Sequence, residues 1–501
     1  MPMKFLCYES IVALNSIIKV AFKETTFILI DSPRRMPMVP SQNENQSPLD
    51  SDGEVENKRE GKEQLNHPIT TSDCVKNIEE KLAQVCRWEK ENARFNRSIF
   101  RVPKNLREVE LKAYIPQLVS IGPYHRGKAH LKEMESNKWR LLQQVLERKG
   151  HQVSLYYMEM LNLEEKMRRC YARPFENINS PEFVEMMLLD ACFVVELLNV
   201  SVIGDKYCGY SRLNRMLTSL GLLPCIKRDM LMLENQIPLF VLDKLYPLIT
   251  SNPGEINSVS KLSLKFFDSA IPVCQNLHHE VTNSNDPGLH LLHVVHQCLN
   301  PTPSDTSSRN KDGKEHQPHR LMGHSVMTLR RSGVRFKKNP SKNFMDIKFE
   351  KGILYIPSLV IHDSTMSIFL NLMALEQFNP YCSNYVTSYI RFMDGLINTH
   401  RDVEYLRYKG IIDHKLGSEQ EVARLVNKFC KEIAFDMDDC YLSDVYAEVN
   451  EYVDQKWHVW RAILKHEYFT NPWATLSLLA ASILLLLTLL QTIYTVIAYY
   501  K

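Results

Sequence analysis

From Phe469 to Tyr500 the chain carries no charged residue, and the stretch from Ala474 to Ala498 is dominated by Leu, Ile, Ala, Thr, Ser and Val. At ~1.5 Å per helical residue this stretch covers a hydrocarbon core of ~30 Å with a little to spare. Trp473 at one end and Tyr499 with Tyr500 at the other stand where amphipathic rings favour the membrane interface, and Lys501 can reach the headgroups. The competing reading is a buried core helix, but so long an uncharged run with aromatic ends fits a bilayer better. A transmembrane helix is therefore expected over residues 473–498, with the lipid bilayer as the first expected partner.

The flanks orient it. Lys456, Arg461, Lys465 and His466 precede the span and only Lys501 follows, so the positive-inside tendency puts the large N-terminal portion in the cytosol. The expectation is a single-pass protein anchored at its C-terminus in the plasma membrane or an endomembrane. At the other end, the apolar stretch Ile11 to Phe22 has Glu9 ahead of it and Lys19 within it, and no small-residue cleavage site follows. It does not read as a signal peptide.

Composition closes off other classes. With 44% hydrophobic and 24% charged residues, the 501-residue chain can bury a sizeable core. Its 61 basic and 58 acidic residues leave a formal charge of +3, too balanced for the broad positive field of a nucleic-acid binder. The 12 cysteines include no Cys-x-x-Cys pair, so no zinc or redox site is expected. Cys192 and Cys298 sit in apolar runs, as reduced core thiols do. Sequons occur at Asn45, Asn96 and Asn199, relevant only to a lumen-facing chain.

Between the ends the pattern is mostly α. Residues 1–70 form a poorly structured leader, rich in Pro, Ser, Asn, Glu and Lys from Asp31 onward. A large helical domain then runs over 75–465, starting where Val75, Ile78 and Leu82 take up helical spacing. Helices are expected at about 131–148, 183–199, 213–223, 229–246, 261–270 and 288–299, the fourth kinked or restarted at Pro238. A basic, flexible insertion is read at about 301–342, with eleven basic and three acidic residues from Arg309 to Lys348. A small β element is expected near residues 334–357, from Val334-Arg-Phe336, Met345 to Phe349 and Ile353 to Ile356. Helices resume at about 364–378, 382–399, 418–433 and 442–465.

Chemistry is hard to find. The sequence contains no G-x-x-x-x-G-K-[ST], G-x-G-x-x-G or G-x-S-x-G pattern, and neither His279-Glu280 nor His466-Glu467 has the second histidine of a metalloprotease helix. His290, His293 and His296 step around a helix by about 60° in projection, which spreads them over a face, so hydrogen-bonded histidines are favoured over a metal site. Asp436-Met-Asp-Asp439 lacks the glycine and glutamate of a calcium loop. The reading has no catalytic residue, no cofactor, no metal site and no identified small-molecule ligand.

Arg101-Val-Pro103, Leu106-Arg107, Ala113-Tyr114 and Pro116-Gln-Leu-Val-Ser-Ile-Gly-Pro-Tyr-His125 form one set of motifs, followed by Met134-Glu135 and Lys138. Asp229-Met-Leu-Met-Leu-Glu-Asn-Gln-Ile-Pro238, Leu354-Tyr-Ile-Pro-Ser-Leu359, Asn371 to Gln377 and Asn471-Pro-Trp473 form the rest. Together, over about Val75 to Lys501, they resemble the plant domain-of-unknown-function family 247, also known as uncharacterised protein family 0481. The resemblance implies a plant membrane protein with one C-terminal transmembrane helix and no established enzymatic activity; some grass members are associated with pollen-side self-incompatibility. It brings no agreed catalytic residues. Asn-Gln-Ile-Pro and Ser-Ile-Gly-Pro-Tyr are also motifs that any such fold needs to break helices and turn the chain. Tyr124 and His125 are the candidate interaction surface, since a turn can present them outward. The expected function is a non-enzymatic, membrane-anchored interaction or signalling module with an unknown protein partner; the alternative is an enzyme using His125 or the histidines near His293 as acid, base or ligand.

Overall fold

The computed structural model describes residues 75–83, 97–172, 175, 177–203, 221–250, 258–271, 289–300, 323–341, 343–380, 382–437, 439–454 and 472–500. The expected leader, the helix at 213–223 up to residue 220, the insertion up to residue 322, Asn45 and Asn96 lie outside them. Chain contacts separate Met1–Asn77 from Ile78–Lys501. Residues 75–83 are helical, with Val75, Ile78 and Leu82 exposed.

The first half of the larger unit is built from α1 (Lys104–Val109), α2 (Lys132–Lys149), α3 (Val153–Arg169), α4 (Ser180–Ile203), α5 (Leu223–Met230), α6 (Leu239–Ile249), α7 (Val259–Phe267) and α8 (Leu291–Cys298). Helix α2 shows why such segments form. It buries Met134, Leu141, Leu142 and Val145 along one stripe, has Glu133 and Glu135 in its first turn and Arg148 and Lys149 in its last. Helix α4 is the axle of this half: every residue from Met186 to Val200 is buried, and α2, α3, α6 and α7 pack around it. A fully buried Leu, Val or Phe contributes about 1.5–3 kcal/mol over an exposed one, so an all-round apolar helix needs neighbours on every side. Two of its buried polar side chains find partners across the core. Glu196 receives the Arg148 guanidinium at 2.7 and 2.9 Å, and the Asn199 amide donates to Thr250 Oγ1 at 2.9 Å. Asn199 is fully buried, which leaves its sequon no room for a glycan in this fold.

The second half contains α9 (Val326–Arg331), β1 (Arg335–Asn339), β2 (Lys348–Glu350), β3 (Ile353–Pro357), β4 (Leu359–Ile361), α10 (Thr365–Phe378), α11 (Tyr385–Leu396), α12 (His400–Tyr408), β5 (Ile412–His414), α13 (Glu419–Phe429) and α14 (Ser443–Asp454). Strands β1, β3 and β2 make a small sheet in that order, β1 parallel and β2 antiparallel to β3, with Leu354 opposite both Phe336 and Phe349. A second pair joins β4 to β5 in parallel. Helix α10 is buried from Ser367 to Glu376 and packs on α8, α11 and α13. The last helix, α15 (Pro472–Tyr499), is 28 residues long, and its stretch Leu479–Tyr499 is long and apolar enough to cross a membrane.

The mostly α class, the small β element near 334–357 and the C-terminal helix are as expected. Two boundaries differ. Of the expected helix over 229–246, the part after Pro238 forms as α6, restarting at the proline where a restart was expected, while α5 ends at Met230 and residues 231–238 turn to meet the segment before Tyr124. The expected insertion ends earlier than residue 342, since α9 buries Val326 and Leu329 and β1 pairs with β3. Helices α3 and α12 were not anticipated: Met and Tyr spaced among charges in α3 blur its apolar stripe, and α12 is short and mostly polar, started by a capping box between Thr399 and Asp402.

Candidate functional site

The motif residues converge on one buried polar knot. The chain from Pro116 to His125 has no regular secondary structure, so its backbone N–H groups need partners from elsewhere. Asp229, at the end of α5, supplies them: its Oδ2 accepts from the N–H groups of Gln117, Leu118 and Val119 at 2.9, 2.7 and 3.2 Å. Its Oδ1 takes the Arg228 guanidinium at 2.8 Å. Asn235 continues the ladder, accepting from Ile121 N–H at 2.7 Å and donating to the carbonyls of Val119 and Asp229. Asp190 of α4 accepts from Gly122 N–H at 2.7 Å and pairs with Lys138 of α2 at 2.5 Å. Lys138 also donates to Ser120 O and Glu135, and both it and Asp190 are almost wholly enclosed. Burial pushes the Asp190 carboxyl up, while Lys138 and the Gly122 N–H pull the other way.

Gly122 is required where it stands. Its φ is +73°, and a Cβ there would meet Gln236 O at 2.6 Å. Gln236 donates in turn to Met230 O and Met232 O. The motifs that turn the chain are thus also the ones that tie residues 116–125 to 229–236.

This arrangement corrects the expectation for Tyr124 and His125, which turn inward and not outward. Tyr124 is 8% exposed and His125 3% exposed. The Tyr124 ring packs against Tyr171 and Phe175, its hydroxyl donates to Ile99 O at 3.3 Å, and the Arg101 guanidinium lies over its face at 5.1 Å. The physical reason is the apolar cluster beside the turn, which covers the phenol ring, and a carboxylate beneath it, which draws in the imidazole.

That carboxylate is Glu234, 4% exposed. Its Oε1 accepts from Val102 N–H at 2.8 Å and pairs with Arg107, which also donates to Val102 O at 3.1 Å. Its Oε2 lies 3.6 Å from His125 Nε2. Lys128 Nζ stands 2.7 Å from His125 Nδ1; as an ammonium it donates there, which leaves the ring proton on Nε2. Burial first, and then the charges of Lys128, Arg107 and Arg101, hold His125 down at about 3. Burial and the same arginines also depress the Lys128 ammonium, with Glu234 opposing. Among the described residues neither Arg107 Nε nor His125 Nε2, both buried, has a hydrogen-bond partner. The knot opens to the surface through Arg101, which is exposed, and through Arg107 and Lys128, which are half-buried.

The second histidine group is structural in its contacts. His290 Nε2 lies 3.0 Å from Ser98 O and its Nδ1 caps α8 by accepting from His293 N–H. His293 Nδ1 accepts from Leu289 N–H, and His296 Nε2 meets Glu376 at 2.8 Å. Glu376 also accepts from Val386 and Thr387 N–H at 2.8 Å each, at the start of α11. Among the described residues no three His, Cys, Asp or Glu side chains are grouped as a metal would need. The described cysteines are free thiols.

The residues sequence reasoning missed are Glu234, Arg107, Arg101 and Lys128. All but Lys128 fall in recognised motifs, and the signal available was the pairing of two acids, Asp229 and Glu234, with a non-helical segment that has no strand partner.

Residues 99–487 match the profile of a family described as plant protein of unknown function, DUF247. The UPF0481 protein At3g47200 of Arabidopsis thaliana is 32% identical over 428 residues, covering 80% of this chain and 86% of the relative. The putative UPF0481 protein At3g02645 of the same plant is 25% identical over 493 residues, covering 79% and 89%. No solved structure matches the chain.

Proposed function

We propose that this chain, which belongs to the plant family DUF247, is a single-pass membrane-anchored interaction module whose helical domain faces the cytosol. The observation that carries the reading is α15. It is uncharged throughout and exposes Leu484 to Leu487, Leu489, Leu490 and Ile493, side chains that water tolerates poorly at such density. At ~1.5 Å per residue its length exceeds a ~30 Å hydrocarbon core. The excess of Lys and Arg on its N-terminal flank favours the cytosolic side for the domain.

The interaction role is supported by how the motif residues are used. Asp190, Asp229, Asn235 and Gln236 hold backbone, which makes a rigid scaffold on which surface loops can recognise a partner. Histidine acid–base chemistry is less favoured, because His125 is held neutral with its proton on Nε2 and so presents a donor instead of a base.

The test is carbonate extraction of the full chain and of a chain ending at Asn471, with protease protection of a tag at each end. Retention of the full chain in the pellet, release of the shortened one and cleavage of the N-terminal tag are expected. Extraction of the full chain by carbonate defeats the anchor, and a protected N-terminal tag reverses the orientation.

A further inference from the structure

We propose that Arg101, Arg107, Lys128 and the buried Nε2–H of His125 form a binding site for a phosphate-class oxyanion at the mouth of the knot. Arg107 pairs with Glu234, Lys128 stands 2.7 Å from His125 Nδ1 and the Arg101 guanidinium lies 5.1 Å over the Tyr124 ring, so three cationic side chains surround the single carboxylate of Glu234. The excess of positive charge is held at a half-buried place, where water screens it less than at an open surface.

Two buried donors beside Glu234 lack partners among the described residues. Arg107 Nη2 pairs with Glu234 Oε1 while its Nε, though buried, has no hydrogen-bond partner among the described residues. His125 Nε2 lies 3.6 Å from Glu234 Oε2, beyond hydrogen-bond reach, and is likewise without a partner. Buried donors without partners are rare in folded proteins, and an ion or water beside them is one of the few arrangements that answers them. Two of them beside a cluster of cations fit an oxygen-rich anion better than a neutral ligand, since such an anion accepts from both and offsets the charge. The guanidinium of Arg101, laid over the Tyr124 ring at 5.1 Å, is already oriented at the rim. Phosphate-class chemistry reaches such a site either as a free phosphate or as the headgroup of a phosphorylated lipid.

The test uses the full chain in nanodiscs of neutral phosphatidylcholine. Inorganic phosphate is titrated by calorimetry, and the His125 ring nitrogens are followed by nitrogen NMR; a second preparation carries phosphatidylinositol phosphate in the bilayer. Arg101→Gln with Lys128→Gln is the variant of choice, because neither side chain belongs to the Asp229–Asn235 ladder that holds residues 117–121, and a thermal melt checks that it is folded. Binding of inorganic phosphate that moves the Nε2 resonance of His125 and weakens at least about tenfold in the double variant supports a free-phosphate site. The same resonance shift seen only with the phosphorylated lipid supports a headgroup site. No shift with either, or binding that the double variant leaves unchanged, overturns the proposal and leaves the two donors to water.

Discussion

Asp229 is fully buried, yet accepts three backbone N–H groups on one oxygen and an arginine on the other. Removing it strands three donors that have no strand or helix to return to. Asp229→Ala should therefore lower the unfolding free energy by about 3 kcal/mol or more, read from urea denaturation; a loss under about 1 kcal/mol would show that the 116–125 segment is held by other means. Histidines set the acid limit. Burial first, and then the neighbouring His293, hold His290 down at about 3 in the folded chain, against about 6.5 when unfolded. Below pH 6.5 the unfolded chain gains a proton that the folded one refuses, so stability is whole above that value and falls by about 1.4 kcal/mol per pH unit as the pH drops toward 3. His290→Gln should flatten the slope between pH 6 and 4 by about that amount, whatever it does to stability at neutral pH. An unchanged slope would mean that the ring titrates normally. Comparing variant with parent removes the contributions of Asp190 and Asp229, whose carboxyls burial pushes up and which act in the opposite sense.

Among elements, α11 depends on a neighbour. Asn384 at its start makes no side-chain cap, and the exposed ends of its backbone at Val386 and Thr387 are taken by Glu376 from α10. Thr387 Oγ1 and His296 Nε2 complete the set at 2.5 and 2.8 Å. Glu376→Ala leaves two helix N–H groups and a histidine unanswered, and should cost about 3 kcal/mol by urea midpoint, with Glu376→Gln falling between it and the parent. Equal midpoints for all three would remove Glu376 from the list of caps. The helix pattern itself was legible for α2, α4, α10 and α15, where apolar spacing or sheer length is strong. It was not legible for α3 and α12, whose stripes are thin, and at 229–246 the restart at Pro238 was legible but the loss of helix over residues 231–237 before it was not. There the apolar run Met230 to Leu233 reads as helix by periodicity, while the fold uses it as a turn because Glu234 and Asn235 are needed 132 and 114 residues away.

At the scale of the molecule, long-range ties join the two halves of the helical domain. Asn371 of α10 accepts from Leu233 N–H at 2.9 Å and donates to Ala113 O at 2.9 Å, and Ser367 donates to the same carbonyl at 2.7 Å. Such crossings make the halves unfold together. Far-UV circular dichroism and tyrosine fluorescence should therefore give coincident urea transitions for a chain ending at Asn471, and Asn371→Ala should move both by the same amount, about 2 kcal/mol. Separate transitions would show two independent units.

The sequence by itself determined the mostly helical class, the family, the small β element and a C-terminal helix long enough to cross a bilayer, because each rests on local spacing or on a contiguous run. It also singled out Tyr124 and His125, but not the direction they face. Only the tertiary structure decided that they turn inward, that Glu234 lies beneath them and that Arg101, Arg107 and Lys128 gather at one mouth. The place of Glu234 depends on segments more than a hundred residues apart, joined through Val102, Arg107 and His125, and such pairings leave no periodic trace along the chain.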